Sequence, residues 1–234
     1  LVPPEILRYI IARTKIKKHI DFDTGPSLFE TADEYERLVS NPPEDKELSK
    51  KKKVARDTAL GALRLSQVER GHDASLSTAG VSFRHLAMLA QIKSDNEDIW
   101  TSLERSQHLD GKPNHVLINR LSRMRNWIDS QHFPEDSRIK IQDSISDENN
   151  KKISEKQRKF LEMLYDRLER IDWNETEINQ SIRDSSTNIG INRRDAYIAL
   201  YLLILGTDYG PRIASIMNEI GKESTLNIFS KSFQ

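Results

Sequence analysis

Apolar residues recur at intervals of three and four positions along most of the chain, and this spacing predicts amphipathic α-helices. The first predicted helix follows Pro3-Pro4, because proline is favoured in the first turn of a helix. Since the chain opens directly on this helix, we expect a further domain to precede it in the intact protein. The apolar stripes are Ile6, Leu7, Ile10 and Ile11; Leu28, Ala32, Tyr35 and Val39; Phe83, Leu86, Ala87 and Ala90; Phe160, Leu164, Leu168 and Ile171; Tyr197, Leu200, Tyr201 and Ile204; and Ile213, Ile216, Met217 and Ile220.

Polar residues that cap helix N-termini stand in front of several of these stripes. Ser82 is a predicted N-cap, and Val81 before it is placed to pack onto Leu86. Two further pairs, Ser154 with Gln157 and Asn174 with Glu177, have the three-residue spacing of a capping box. These signals predict where three helices begin.

Glycine and proline mark the predicted helix boundaries near the end of the chain. Gly206 is expected to stop the helix before it, and Gly210-Pro211 is expected to start the next one. Gly221 stands where a left-handed C-cap is required.

Three segments depart from the helical pattern. His19 to Asp23 alternates polar and apolar residues before Gly25-Pro26, which predicts one short strand. An acidic linker follows Pro42-Pro43, and we place a subdomain boundary near residue 48. Residues 145–152 are polar and aperiodic, so we expect a mobile loop there.

The composition excludes several classes of protein. The 36 basic and 36 acidic residues balance, so nucleic-acid binding has to be argued from local clusters rather than from net charge. The absence of cysteine removes disulfides and thiolate metal sites. No apolar run reaches 18 residues and no signal peptide is visible, so we expect a cytoplasmic protein without membrane contact.

The sequence contains neither a glycine-rich phosphate loop nor a nucleophilic cysteine. The six histidines lie in different segments without metal-ligand spacing. Asp21 and Asp23 are interpreted as surface carboxylates of the predicted strand. We therefore predict no catalytic residue, no metal site and no cofactor.

Three basic clusters are candidates for RNA contact, which requires positive charges for phosphates and flat side chains for bases. Each has a structural alternative: a favourable contact with a helix C-terminus for the first, a solvated face with a buried tryptophan for the second, and ion pairs with nearby acids for the third. The clusters are Arg13, Lys15, Lys17, Lys18 and His19; Arg120, Arg123, Arg125 and Trp127; and Arg193, Arg194, Tyr209 and Arg212.

Several motifs resemble a known family along almost the whole chain. The opening run from Pro3 to Asp23 resembles the segment that follows the KMSKS-type loop in class I lysyl-tRNA synthetases. The C-terminal motifs also resemble bacterial glutamyl-tRNA synthetases, whereas the opening run favours lysine. The matching motifs are Pro3-Pro4-Glu5-Ile6-Leu7-Arg8-Tyr9, Ala12-Arg13-Thr14-Lys15, Lys18-His19-Ile20-Asp21-Phe22-Asp23, Asp33-Glu34-Tyr35-Glu36-Arg37-Leu38, Ser82-Phe83-Arg84-His85-Leu86, Arg125-Asn126-Trp127, Leu205-Gly206, Gly210-Pro211-Arg212 and Gly221-Lys222-Glu223.

The resemblance implies an all-α fold with a stem-contact subdomain at 1–48 and an α-helix cage at 49–234 that binds the anticodon. Its expected partners are lysine-accepting tRNA and the N-terminal catalytic domain of the same protein. No HIGH-type or KMSKS-type motif occurs in the chain, so we expect it not to aminoacylate tRNA alone. By position, Lys15, Lys17, Lys18 and His19 fall in the stem-contact region, and Arg84, His85, Trp127, Arg193, Arg194 and Arg212 fall in the cage.

Two alternatives remain open at this point. A helical protein-interaction scaffold is favoured if the basic clusters are scattered over the surface. The equivalent domain of a glutamyl-type synthetase is favoured if the upstream sequence carries that specificity. For the Arg84-His85 pair the alternative is that it holds helices together through a buried arginine paired to an acid.

Overall fold

The computed structural model describes residues 1–20, 22–43, 49–69 and 73–232, and the regular structure of these residues is entirely helical. The predicted all-α fold is confirmed. None of the described helices combines the length and the apolar character needed to cross a membrane.

The chain forms two compact units, Leu1–Arg138 and Ile139–Gln234. The boundary between these compact units lies at 138/139. The boundary predicted between the stem-contact subdomain and the anticodon-binding domain lies at 48/49; it concerns function and stays a prediction. The helices of the first unit are Pro4–Arg13 (α1), Pro26–Ser40 (α2), Lys50–Ser66 (α3), Phe83–Ile92 (α4), Asn96–Arg105 (α5) and His115–Ile128 (α6). Those of the second unit are Asp147–Lys152 (α7), Glu155–Leu168 (α8), Glu175–Ile189 (α9), Arg193–Ile204 (α10), Ile213–Ile220 (α11) and Lys222–Ser232 (α12).

The core of the first unit forms where α1 packs on α2 and α3, α2 on α4, and α4 on α6. In the second unit α8 packs on α9, α10 and α12. The predicted apolar stripes supply a part of the buried side chains, including Phe83, Leu86, Phe160 and Leu164. Helical periodicity therefore identifies part of each core.

The predicted N-caps are confirmed. The Ser82 side chain accepts a hydrogen bond from the His85 amide at 3.2 Å. Ser154 and Gln157 form a complete capping box, and the Asn174 side chain accepts from the Glu177 amide at 2.9 Å. Each bond satisfies a backbone amide that the helix itself leaves without a partner.

The mobile loop predicted at residues 145–152 is wrong, because most of this segment forms α7. Ser146 caps the helix, and acidic residues in its first turn with lysines in its last turn complement the helix dipole. The Asn149 side chain donates to the Gly206 carbonyl at 2.9 Å. Capping and tertiary hydrogen bonds, among them one from Arg158 of α8 to Asn150, take the place of the apolar stripe that this segment lacks.

The strand predicted at His19 to Asp23 is also absent among the described residues, although Asp21 itself lies outside them. A strand needs a partner for its backbone groups, whereas Ile20 and Phe22 are exposed. Asp23 accepts hydrogen bonds from the Gly25 amide at 2.8 Å and the Ser27 hydroxyl at 3.0 Å. Asp23 thus closes a turn with Gly25 and Ser27 that leads into α2.

Two helix boundaries near the C-terminus differ from prediction, while Gly206, with φ at +75°, follows α10 as expected. The helix predicted to start at Gly210-Pro211 starts at Ile213, so that Arg212 is its N-cap residue. Gly221 has φ at +90° and ψ at 163°, which is not the predicted left-handed helical cap, and α12 follows it directly.

Candidate nucleic-acid interface

The turn after α1 exposes a group of positive charges. Lys15, Lys17, Lys18 and His19 are all exposed, and a hydrogen bond of 2.8 Å from the Lys18 amide to the Lys15 carbonyl closes the turn. None of the three lysines is in an ion pair with a residue that the structure describes. This group is open to a phosphate backbone.

Arg13, the first member of that basic run, has a different role. Its guanidinium pairs with the Glu34 carboxylate and lies 5.3 Å from the centroid of the Tyr9 ring. Burial and the hydrogen bond that the Tyr9 hydroxyl donates to Glu34 raise the pKa of Tyr9 to about 12. Burial of the Glu34 carboxylate opposes its ionisation, but hydrogen bonds from Arg13 and Tyr9 outweigh burial, so the pKa of Glu34 lies below its ordinary value. The network joins α1 to α2.

Arg84 and His85 begin α4 and contact other side chains of the first unit. Arg84 Nε lies 2.6 Å from Asp33 Oδ2, and its guanidinium carbon lies 4.8 Å from the Phe29 ring centroid. The His85 ring stacks on the His108 ring at 5.1 Å. Arg84 is thus paired to an acid of α2, but it is exposed rather than buried as the structural alternative required.

Arg120 lies in the interior of the first unit. It donates to the carbonyls of Thr78 and Val81 and to Glu36, with 2.7 Å between Arg120 Nη2 and Glu36 Oε1. Burial raises the pKa of Glu36 even though Arg120 and the Phe83 amide favour the ionised carboxylate. Since Arg120 is only 4% exposed, it has no surface to offer to RNA.

Arg123 is half-buried and also makes contacts within the unit. Its side chain donates to Asn119 Oδ1 at 2.7 Å and to the Val2 carbonyl at 3.3 Å. Arg125, the third arginine of α6, donates to the Ser94 carbonyl at 3.0 Å, close to the C-terminus of α4. The three arginines of the basic cluster predicted on α6 thus form hydrogen bonds within the first unit.

Trp127 is a core residue, with an exposed fraction of 0%. Its ring lies 5.0, 5.5 and 4.8 Å from the ring centroids of Phe29, Phe83 and Phe133. Its Nε1 donates to the Thr24 carbonyl at 2.6 Å. A ring without an exposed face cannot stack on a base, so Trp127 is part of the core rather than a stacking surface.

In the second unit, Arg193 and Arg194 are the first two residues of α10 and both are exposed. The guanidinium carbon of Arg193 lies 5.6 Å from the Tyr197 ring centroid. Asp195, the acid expected to answer Arg193, accepts a hydrogen bond from Asn192 Nδ2 at 2.5 Å. Both arginines therefore lie at the positive end of the helix dipole, and the Asp195 carboxylate is hydrogen-bonded to Asn192.

Arg212 and Tyr209 lie on the exposed loop between α10 and α11. Tyr209 is 50% exposed, and Arg212 is exposed in the N-cap position, where no side chain caps the first amides of α11. The alternative that pairs Arg212 with Asp208 is not found among the described ion pairs. Arg212 is open to an anion or to a hydrogen-bond acceptor.

Two tyrosines of the apolar stripe of α10 lie beside these arginines, although the sequence pattern assigns them only to the core. The Tyr197 and Tyr201 rings lie 6.4 Å apart, and the Tyr201 hydroxyl donates to the Pro211 carbonyl at 2.8 Å. Burial is the main cause, and the neighbouring Tyr197 the smaller one, of the raised pKa of Tyr201. The signal that could have found them is the four-residue spacing from Arg193 to Tyr197 to Tyr201.

Comparison with known proteins supports a tRNA-related assignment. Residues 114–228 match the family model described as an anticodon binding domain. The chain is 26% identical over 228 residues to a lysine–tRNA ligase of Picrophilus torridus, covering 97% of this chain and 42% of that protein. It is 30% identical over 225 residues to a lysine–tRNA ligase of Archaeoglobus fulgidus, covering 95% of this chain and 40% of that protein.

The chain thus spans about two fifths of the length of the curated relatives that it matches. The matched anticodon binding domain includes Arg193, Tyr197 and Arg212, while the lysine-rich turn after α1 lies outside it. The chain is similar along almost its entire length to the C-terminal, anticodon-binding part of class I lysine–tRNA ligases, and the resemblance predicted from its motifs is confirmed.

Proposed function

We propose that the chain is the part of a longer lysine–tRNA ligase that binds lysine-accepting tRNA and holds its anticodon. The observation that carries this proposal is the exposure of Arg193 and Arg212, beside the partly exposed Tyr197, within the matched anticodon binding domain. Arginine donors suit the carbonyl edges of uracil, and lysine anticodons are rich in uridine. Arg212 is the candidate for a base contact.

The lysine-rich turn has a separate role in this proposal. Lys15, Lys17 and Lys18 are flexible, exposed point charges that lie outside the matched domain. Lysine binds phosphates without the fixed geometry needed to read a base edge. We assign these residues to the phosphate backbone of a tRNA stem.

The contribution of this part to catalysis is binding energy and orientation. Its partner would be the catalytic domain of the same protein, which binds lysine and ATP, and the bound tRNA would present its acceptor end to that domain. We propose that the part described here acts in the cytoplasm, without a cofactor of its own, and supports no lysine-dependent ATP–pyrophosphate exchange when alone.

A direct binding measurement tests the proposal. The 234-residue chain is titrated against fluorescently labelled lysine-accepting tRNA, the same tRNA with its middle anticodon base changed, and glutamate-accepting tRNA. We expect the unaltered lysine tRNA to bind most tightly, by about 1–3 kcal/mol over the changed anticodon. Tighter binding of the glutamate tRNA would favour a glutamyl-type domain, and no binding of any tRNA would contradict the proposal.

A further inference from the structure

One face of α10 carries a row of three side chains at four-residue intervals. Arg193, Tyr197 and Tyr201 follow one another along this face, with 5.6 Å from the Arg193 guanidinium carbon to the Tyr197 ring and 6.4 Å between the two tyrosine rings. Arg193 is exposed, and both rings are partly exposed. We call these three residues the α10 ladder.

The ladder lies at the edge of the buried side of α10, because its two tyrosines belong to the same apolar stripe as Leu200 and Ile204, which are fully buried. Ala196, Ala199, Leu200 and Leu203 on the inner side are fully buried. The hydroxyl of Tyr197 has no hydrogen-bond partner among the described residues, so its ring is not held in place by a polar contact of its own. A partly exposed aromatic ring and an exposed planar guanidinium are both groups on which an unpaired base can stack.

The far end of the ladder is fixed to the loop that carries Arg212. The Tyr201 hydroxyl donates to the Pro211 carbonyl at 2.8 Å. At Gly210 the backbone approaches so closely that a Cβ would lie 2.7 Å from Leu205 Cδ1 and 3.2 Å from Tyr201 Cε1. The loop therefore lies against Tyr201, which places Arg212 beyond the end of the ladder.

The length of the row fits a single strand of RNA. Eight residues separate Arg193 from Tyr201, which corresponds to about 12 Å along the helix axis. Proteins bind unpaired RNA bases by stacking them on aromatic rings and on guanidinium planes, with arginines beside them for the phosphates. The ladder combines these groups in one row.

We infer that the α10 ladder is a stacking platform for unpaired RNA bases, with Tyr197 and the Arg193 guanidinium as the stacking surface and Tyr201 as the positioning residue that holds the loop of Arg212. The inference rests on the proposed function and deepens it, because it names the residues that bind single-stranded bases. It gives the stacking role to Tyr197, which lies on the surface, in place of Trp127, which is in the core.

The test compares two RNA probes and four variants of the full 234-residue chain. One probe is a hairpin with the anticodon arm of a lysine-accepting tRNA, and the other is a blunt duplex of the same length. Tyr197→Ala removes the ring, Tyr197→Phe keeps it, and Arg193→Lys keeps the charge but removes the planar guanidinium. Tyr165→Ala is the matched control, since Tyr165 is a partly exposed tyrosine of the second unit that packs against Phe229 instead.

We expect Tyr197→Ala to weaken hairpin binding by roughly 5- to 150-fold, the range for one lost stacked base. Duplex binding and the slope of log affinity against log salt stay unchanged, because the ring carries no charge. Tyr197→Phe and Tyr165→Ala bind the hairpin like the wild type, and Arg193→Lys weakens hairpin binding without a change of salt slope. Circular dichroism confirms that each variant is folded.

Other outcomes separate the two proposals. If the wild type binds the hairpin and Tyr197→Ala binds it equally well, the ladder is a structural surface and only this inference fails. The inference also fails if Tyr197→Phe loses as much affinity as Tyr197→Ala, or if hairpin and duplex are weakened equally. If the wild type binds neither the hairpin nor the intact lysine-accepting tRNA, the proposed function fails and the ladder inference fails with it.

Discussion

In the first unit Arg120 and Trp127 lie in the interior, whereas in the second unit Arg193 is exposed and Tyr197 partly so. Both pairs join an arginine to an aromatic ring on one helix, a combination that suits RNA contact. The guanidinium of Arg120 is occupied by Glu36 and two backbone carbonyls, while that of Arg193 lies over a ring at the surface.

The difference follows from how the neighbouring helices pack around each pair. Arg120 and Trp127 are seven residues apart and share the face of α6 that also carries Leu117, Leu121 and Met124, all of them buried. Tyr197 belongs to the apolar stripe of α10 with the fully buried Leu200 and Ile204, yet it is partly exposed, and Arg193 one turn before it is exposed. An arginine near an aromatic residue is therefore accessible to RNA only where the packing of the neighbouring helices leaves both side chains at the surface.

The largest expected effect comes from Trp127. Tryptophan-to-alanine changes in a core cost about 3–5 kcal/mol, and Trp127→Ala should lower the free energy of unfolding by that amount. Urea denaturation followed by circular dichroism measures it. Affinity for lysine-accepting tRNA at low temperature, where the variant is folded, should not change. A stable variant that has lost tRNA affinity would reverse the comparison between the two units.

Arg120 gives the second test, because removal of one partner of a buried ion pair costs about 3–5 kcal/mol. Arg120→Ala should destabilise the chain on that scale, since the Glu36 carboxylate is left buried without its cation. The matched control is Arg123→Ala on the same helix, whose half-buried side chain makes weaker contacts. Similar unfolding free energies for the two variants would show that the Arg120 pair contributes little.

The lysine-rich turn tests whether the first unit has a free cationic surface. Changing Lys15, Lys17 and Lys18 together to alanine should lower the slope of log tRNA affinity against log salt by roughly two to three units. Binding titrations over a range of salt concentrations give this slope, and the preference for the lysine anticodon should survive. An unchanged slope would leave these lysines as solvent-exposed charges without a role in binding.

Arg212 tests base reading in the second unit. Arg212→Ala should reduce the preference for the lysine anticodon over one with a changed middle base by about 1–3 kcal/mol. The exposed Arg183 of α9 is the matched control, and Arg183→Ala should keep the preference. If Arg212→Ala weakens both tRNAs equally, Arg212 contacts a phosphate or is structural.

The smallest effect concerns the Glu34 network of the first unit. Because the folded-state pKa of Glu34 is lowered, its contribution to stability is present above its ordinary pKa and is lost as pH falls through the folded-state value. Glu34→Gln should therefore cost about 1 kcal/mol near neutral pH, a value kept small because the group is partly exposed. The cost should shrink below pH 4.5, the ordinary pKa of the group. Denaturant titrations at several pH values measure it, with Glu30→Gln on the exposed side of α2 as control.

Local sequence identified several of the helices and the starts of those that Ser82, Ser154 and Asn174 cap. Apolar periodicity and capping residues such as Ser82 and Ser154 act within a few residues of each other, so they can be recognised without the fold. The same holds for the motifs that relate the chain to class I lysine–tRNA ligases. Local patterns did not predict α7, because this helix depends on tertiary contacts such as the hydrogen bond from the Asn149 side chain to the distant Gly206 carbonyl.

Tertiary structure alone decided which charged and aromatic residues are available to RNA. The sequence shows that Arg84, Arg120 and Arg193 lie near helix ends or aromatic residues. It does not show which acidic residues pair with them. Asp33 and Glu36 on α2 occupy the first two arginines, across 51 and 84 residues of chain respectively. Burial of a ring likewise depends on the helices that pack around it. Trp127 is therefore buried and Tyr197 partly exposed because of contacts with distant residues, which a local sequence pattern does not record.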